Sequence, residues 1–134
     1  MDTPDVSRHL TVFIDRSAAE VYTYASNPAH LPEWAAGLGG SIERVGTRWF
    51  AESPMGNVAV SIVPNNPYGV LDHYVTLPSN EVVYNPLRVL PFGETCEVVF
   101  TLRRSAGVSD NDFEADSDAI VADLATLKRL LEKR

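Results

Sequence analysis

His73, in VLDHYVTL, and Arg88, in NPLRVL, are the residues whose types best suit chemistry. An imidazole set in an apolar surround can act as acid, base or ligand anchor. A guanidinium turned into such a surround needs a carboxylate, phosphate or enolate to offset the cost of its burial. Both residues are therefore candidates for catalysis or for holding a ligand. His73 also has a plainer reading, as a core histidine hydrogen-bonded within the fold. Asp72 precedes it but projects to the opposite face of an extended strand, so the adjacent pair is not a dyad. Arg48 reads as a surface residue, while Arg88 follows Pro86, where a strand irregularity can turn it either way. Tyr22, Tyr74, Tyr84 and Trp49 offer hydroxyls and rings, although aromatic residues at strand spacing serve equally well as core.

Several chemistries lack their signatures. The chain has no G-x-S-x-G elbow, phosphate-binding Walker loop or dinucleotide fingerprint. His9, His30 and His73 fall in separate elements without paired spacing, so no metal site is expected. No cofactor is implied. The single cysteine, Cys96, excludes an internal disulfide and lies in an apolar alternating run, where it reads as a small buried hydrophobe. Eleven basic against eighteen acidic residues give a net charge of −7, which disfavours nucleic acid and anionic membrane surfaces as partners. No segment reaches the roughly 18 apolar residues of a membrane span. The opening MDTPDVSRHL has neither a basic start nor an apolar core, so a soluble, cytoplasmic protein is expected.

The elements that must position these residues follow from hydrophobic period. A chain of 134 residues suits one domain, spanning 1–134, that buries roughly two-thirds of its unfolded surface. RHLTVFI (8–14) alternates as a first strand. Ser17 and Glu20 have capping-box spacing for a helix running to about Ser26, and Pro28 permits only the start of a second short helix over 28–36, anchored by Leu31 and Trp34. From Gly39 the period changes to two, with strands expected at 40–45, 47–53, 57–63, 70–77, 81–90 and 94–104. Their separators are short enough for hairpins, and Pro86 marks a bulge or an edge in the strand 81–90. Ser109 and Asp112 then repeat the capping spacing before about 24 residues of helix, ~36 Å long. Phe113, Ile120, Leu124, Leu127 and Leu131 form its buried stripe. Acidic residues crowd its first half and basic ones its end, as the helix dipole favours.

This order resembles a helix-grip fold. TVFIDRSAAEVYTYASNPAHLPEW is similar to the opening of the START-like superfamily, the polyketide cyclase/dehydrase and lipid transport family that includes Bet v 1-type proteins. GVLDHYVTLP, NPLRVLPFGETCEVVFTLRR and DLATLKRLLEK are similar to later stretches of its short bacterial members. The resemblance, over residues 8–132, implies an α+β fold in which a curved seven-stranded antiparallel sheet wraps the C-terminal helix, with two short helices after the first strand. It also implies a cavity between sheet and helix, expected to be lined by Trp34, Trp49, His73, Tyr84, Arg88, Val98, Phe100 and Leu124, with Trp34 either near its entrance or serving as a hydrophobic plug without a ligand role. The leading function is binding or carriage of a small hydrophobic or amphipathic molecule, such as a lipid, by a monomer or homodimer. The alternatives are a cyclase or aromatase-like enzyme using His73 or Arg88, and a protein-interaction module without a small ligand. The superfamily hosts all of these activities, so the fold alone does not choose among them.

Overall fold

A computed structural model describes residues 6–38 and 41–134. Strand β1 (Ser7–Ile14) leads into helix α1 (Ala18–Ala25), whose first turn is capped where the Ser17 hydroxyl accepts from Glu20 N–H at 3.2 Å. Glu20 forms an ion pair with Arg16 at 3.8 Å. The Asn27 side chain then caps a 3-10 turn, Pro28–His30, and α2 (Leu31–Trp34) carries Pro32 in its first turn, where a missing N–H costs nothing. A further 3-10 turn covers Ala36–Leu38. The prolines thus divide the expected second helix into short pieces. Gly39 and Gly40, with which the next strand was expected to start, lie outside the described residues.

The remaining strands are β2 (Ile42–Val45), β3 (Arg48–Ser53), β4 (Gly56–Ile62), β5 (His73–Thr76), β6 (Val82–Asn85), β7 (Leu87–Phe92) and β8 (Thr95–Arg103), and the chain closes with α3 (Asp110–Glu132). All pairings are antiparallel, in the orders β1-β8-β7 and β2-β3-β4-β5-β6. The curved antiparallel sheets and long C-terminal helix are those expected, with eight strands rather than seven. The difference lies at Pro86. Without an N–H to donate, it divides the expected strand 81–90 into β6, which pairs with β5, and β7, which pairs with β8. The expected strand 70–77 is shortened for a related reason: Leu71 N–H donates to Leu87 O at 2.8 Å, so the segment before His73 serves β7.

Alternation decides what is buried. Ile14, Cys96 and Val98 project from β1 and β8 toward α3, which presents Leu124, Leu127 and Leu131, while Val89 of β7 lies on the same face beneath α1, and all seven are at most 2% exposed. Each such side chain stabilises the fold by ~1.5–3 kcal/mol. Across the outer side of the same sheet, Phe13, Leu90 and Phe92 stay exposed. Gly69 pins the preceding loop to β7: its φ is +73°, and any Cβ there would collide with Val89 O.

Candidate functional site

Helix α3 lies chiefly against β1, with α2 and β8 as its further supports. That placement covers one half of the concave face closely and the other half loosely. In register across the second sheet, Trp49 opposes Val60, Val60 opposes Val75 and Val75 opposes Val83, while Ile62 opposes His73 and His73 opposes Asn85. Val60 is 3% exposed and Val83 is 38% exposed, with Val75 half-buried between them. Burial therefore fades along one row of the inner face toward β6.

His73 sits on this face, its ring edge-to-face with Phe100 of β8 at 6.4 Å between centroids. Its Nδ1 lies 3.1 Å from Leu71 O. A carbonyl only accepts, so Nδ1 carries the proton in the neutral ring and Nε2 is left with its lone pair. Among the described residues no group bonds that Nε2. Burial pushes the imidazole pKa below its usual value, so the ring is neutral at pH 7, yet the residue keeps partial solvent access. A deep, neutral histidine with a free acceptor can receive a hydrogen bond or a proton from a molecule lodged beside it.

Arg88 and Tyr84 are on the other face. Arg88 Nε and Nη2 donate to Asp72 Oδ1 and Oδ2, each at 2.9 Å, Tyr84 OH donates to Oδ2 at 2.6 Å, and Leu87 N–H donates to Oδ1 at 3.0 Å. Arg88 does carry a carboxylate, but it is the protein's own. Alternation explains the placement, because Leu87 and Val89 on either side are fully buried and turn Arg88 outward. Tyr84 also stacks on Tyr74 at 5.1 Å. This cluster latches the change of strand partner at Pro86. As an inner ligand group Arg88 is displaced by geometry, and the same holds for Tyr84.

Trp34 is buried rather than set at an open entrance, with 7% exposure, because α2 packs against α3. Its indole Nε1 is the one buried side-chain polar atom among the described residues with no hydrogen-bond partner. Nearby, Asp123 Oδ1 of α3 accepts from Ala36 N–H at 3.1 Å and ties the α2 segment to the helix, while burial pushes the Asp123 pKa up. Val98, Phe100 and Leu124 face inward as expected. Val98 is a core residue beneath α3 and Leu124 a buried residue of α3 itself, whereas Phe100 is half-buried beside His73. Trp49 lines a groove of about 330 Å³ at the ends of β3 and β4, which Ser26, Pro28 and Asn65 complete and whose wall includes Ile62, the partner of His73. Arg8, which alternation also turns inward, is paired with Glu114 at 2.8 Å and donates to the Ser117 hydroxyl. The described residues include no cluster of three or more potential metal ligands and no helix long and apolar enough to cross a membrane.

The chain shares this fold with proteins of several kinds. An uncharacterized protein from Bacillus thuringiensis superposes with a TM-score of 0.73 at 14% identity, over 94% of this chain and 98% of that one. The Zhui aromatase/cyclase from Streptomyces sp. R1128 superposes at 0.71 with 16% identity, over 98% and 96%. Truncated norcoclaurine synthase from Thalictrum flavum does so at 0.66 with 15% identity, over 100% and 98%. No family model matches the sequence, and no curated protein matches it. The structural likenesses establish the fold, an α+β arrangement of curved antiparallel sheets around a long C-terminal helix that these proteins share.

Proposed function

We propose that the protein binds a small hydrophobic or amphipathic molecule between the second sheet and α3, in a carrier or sequestering role. The observation that carries this reading is the half-covered inner row from Val60 to Val83, with neutral His73 beside it and its Nε2 unpartnered among the described residues. Apolar walls with a few polar groups are the usual character of small-molecule sites. The likeness to an aromatase/cyclase supports a second reading, an enzyme in which His73 accepts a proton. Arg88 has no part in either reading.

The first test is mass spectrometry of the purified protein under native and then denaturing conditions, comparing the parent with Val75→Phe, which fills the half-covered row. A small molecule carried by the parent, released on unfolding and missing from folded Val75→Phe supports the cavity. Equal loading of both proteins would place the ligand elsewhere and overturn it.

A further inference from the structure

Acidic residues outnumber basic ones by eighteen to eleven, yet the groove at the ends of β3 and β4 holds Arg48 in its wall and no Asp or Glu. Strand register explains why the groove opens there. β3 pairs with β4 only as far as Trp49 opposite Val60, whereas β4 runs on to Ile62, opposite His73 of β5. Beyond Val60 the two strands part, so Trp49, Val60 and Ile62 supply an apolar wall while Ser61 and Arg48 supply a polar one. Arg8, Arg16, Arg88 and Arg104 each hold a carboxylate. Arg48 has neither an ion pair nor a side-chain hydrogen bond among the described residues; its guanidinium lies over the Phe50 ring at 5.1 Å from the centroid. A ring against one face holds the guanidinium plane and leaves its edge N–H groups free for the two oxygens of an oxyanion. Glu43 and Glu52 line a different groove, with Phe50, and neither pairs with Arg48.

We infer that this groove takes an amphipathic carboxylate, with the carboxylate on Arg48 and the apolar body against Trp49, Val60 and Ile62. This rests on the reading above that a small amphipathic molecule is bound, and it names that molecule's head. One guanidinium balances the single charge of a carboxylate but not the near-double charge of a phosphate monoester. At 0.15 M salt the negative charge elsewhere on the protein is screened beyond roughly 8 Å, so the local cation decides the preference. The groove volume of about 330 Å³ lies at the small end of ligand pockets, which span roughly 300–1,000 Å³. That room suits a single short chain or a fused ring pair rather than a two-chain lipid. Arg48 is then a binding residue that selects for charge, and the apolar wall supplies the affinity common to all such bodies.

Octanoate, octanamide and octyl phosphate carry one tail and three heads, and calorimetric titration of each at 0.15 M salt separates the possibilities. Octanoate is expected to bind about tenfold more tightly than octanamide, the effect of one charge-assisted pair, and more tightly than octyl phosphate. Arg48→Gln should remove that preference by weakening octanoate, and Arg48→Lys, which keeps the charge but loses the fork, should retain part of it. Arg48 is exposed, so both variants are expected to fold. In isotope-labelled parent protein the Trp49 indole N–H resonance should move on adding octanoate, while that of buried Trp34 serves as the internal control. Equal affinities for octanoate and octanamide, a preference that survives in Arg48→Gln, tightest binding of octyl phosphate, or an unmoved Trp49 resonance would each overturn the inference and leave the cavity reading standing. Binding of none of the three would overturn it as well, and the loading of parent against Val75→Phe then decides the cavity reading by itself.

Discussion

Asp72 shows how one buried carboxylate can serve architecture rather than catalysis. Its bonds from Arg88, Tyr84 and Leu87 hold its pKa down to about 2 against an ordinary 3.8, with the Arg88 guanidinium the leading cause and burial opposing it. A depressed folded-state value means the stabilisation is full above about pH 4 and is lost as pH falls through about 2, and its size is about 2 kcal/mol. Asp72→Asn should therefore lower stability by about that much at neutral pH, with the gap to the parent mostly closed by about pH 2. Urea unfolding at a series of pH values measures it. Parallel stability curves for the two proteins would show that the pair contributes nothing specific. Alternation in the sequence correctly separates Asp72 from His73, yet the commitment of Arg88 to Asp72 was not legible. That contact joins residues sixteen positions apart across a strand junction, and no local pattern encodes it.

The elements themselves were more readable, because caps and periods are local. Ser17 and Ser109 sit where their hydroxyls accept from N–H groups three residues on. The division at Pro86 was legible as an irregularity but not as a change of partner, since the partner is chosen by β5 and β8 and by the Asp72 latch between them. The far end of α3 was also hidden. Its last carbonyls accept from Arg16, whose Nη2 lies 2.7 Å from Glu132 O and 2.8 Å from Arg134 O, while Lys128 Nζ reaches Phe13 O at 2.7 Å. These bonds fasten the helix terminus to the turn after β1. Hydrogen bonds from charged groups contribute roughly 1.5–3 kcal/mol, less where water competes. Arg16→Ala is expected to destabilise by about 1–2 kcal/mol and to speed amide exchange in residues 129–134 without changing exchange in β8. Unchanged exchange in that last turn would mean the helix end is held by packing of Leu131 alone.

Over the whole molecule, burial is distributed unevenly, and the proposed function depends on that. Fully buried side chains concentrate where β1, β7 and β8 meet α1 and α3, whereas β2 and β6, the outer strands of the second sheet, consist mostly of exposed residues. Opening a strand exposes only the apolar surface that it covers, so local opening free energies range from near zero to the global value, on the order of 5–15 kcal/mol. Native-state amide exchange should accordingly be slowest around Val98 and Ile14, near the global limit, and fastest in β6 and β2. On the proposed function, a half-covered face bordered by easily opened strands would admit a ligand without unfolding the core that supports it. Adding a bound apolar ligand should then slow exchange in β5 and β6 far more than in β1 and β8, because the former gain cover and the latter are already protected. Uniform slowing across both sheets would indicate that ligand binds the protein only through global stability, and would count against a site on the open side of the sheet.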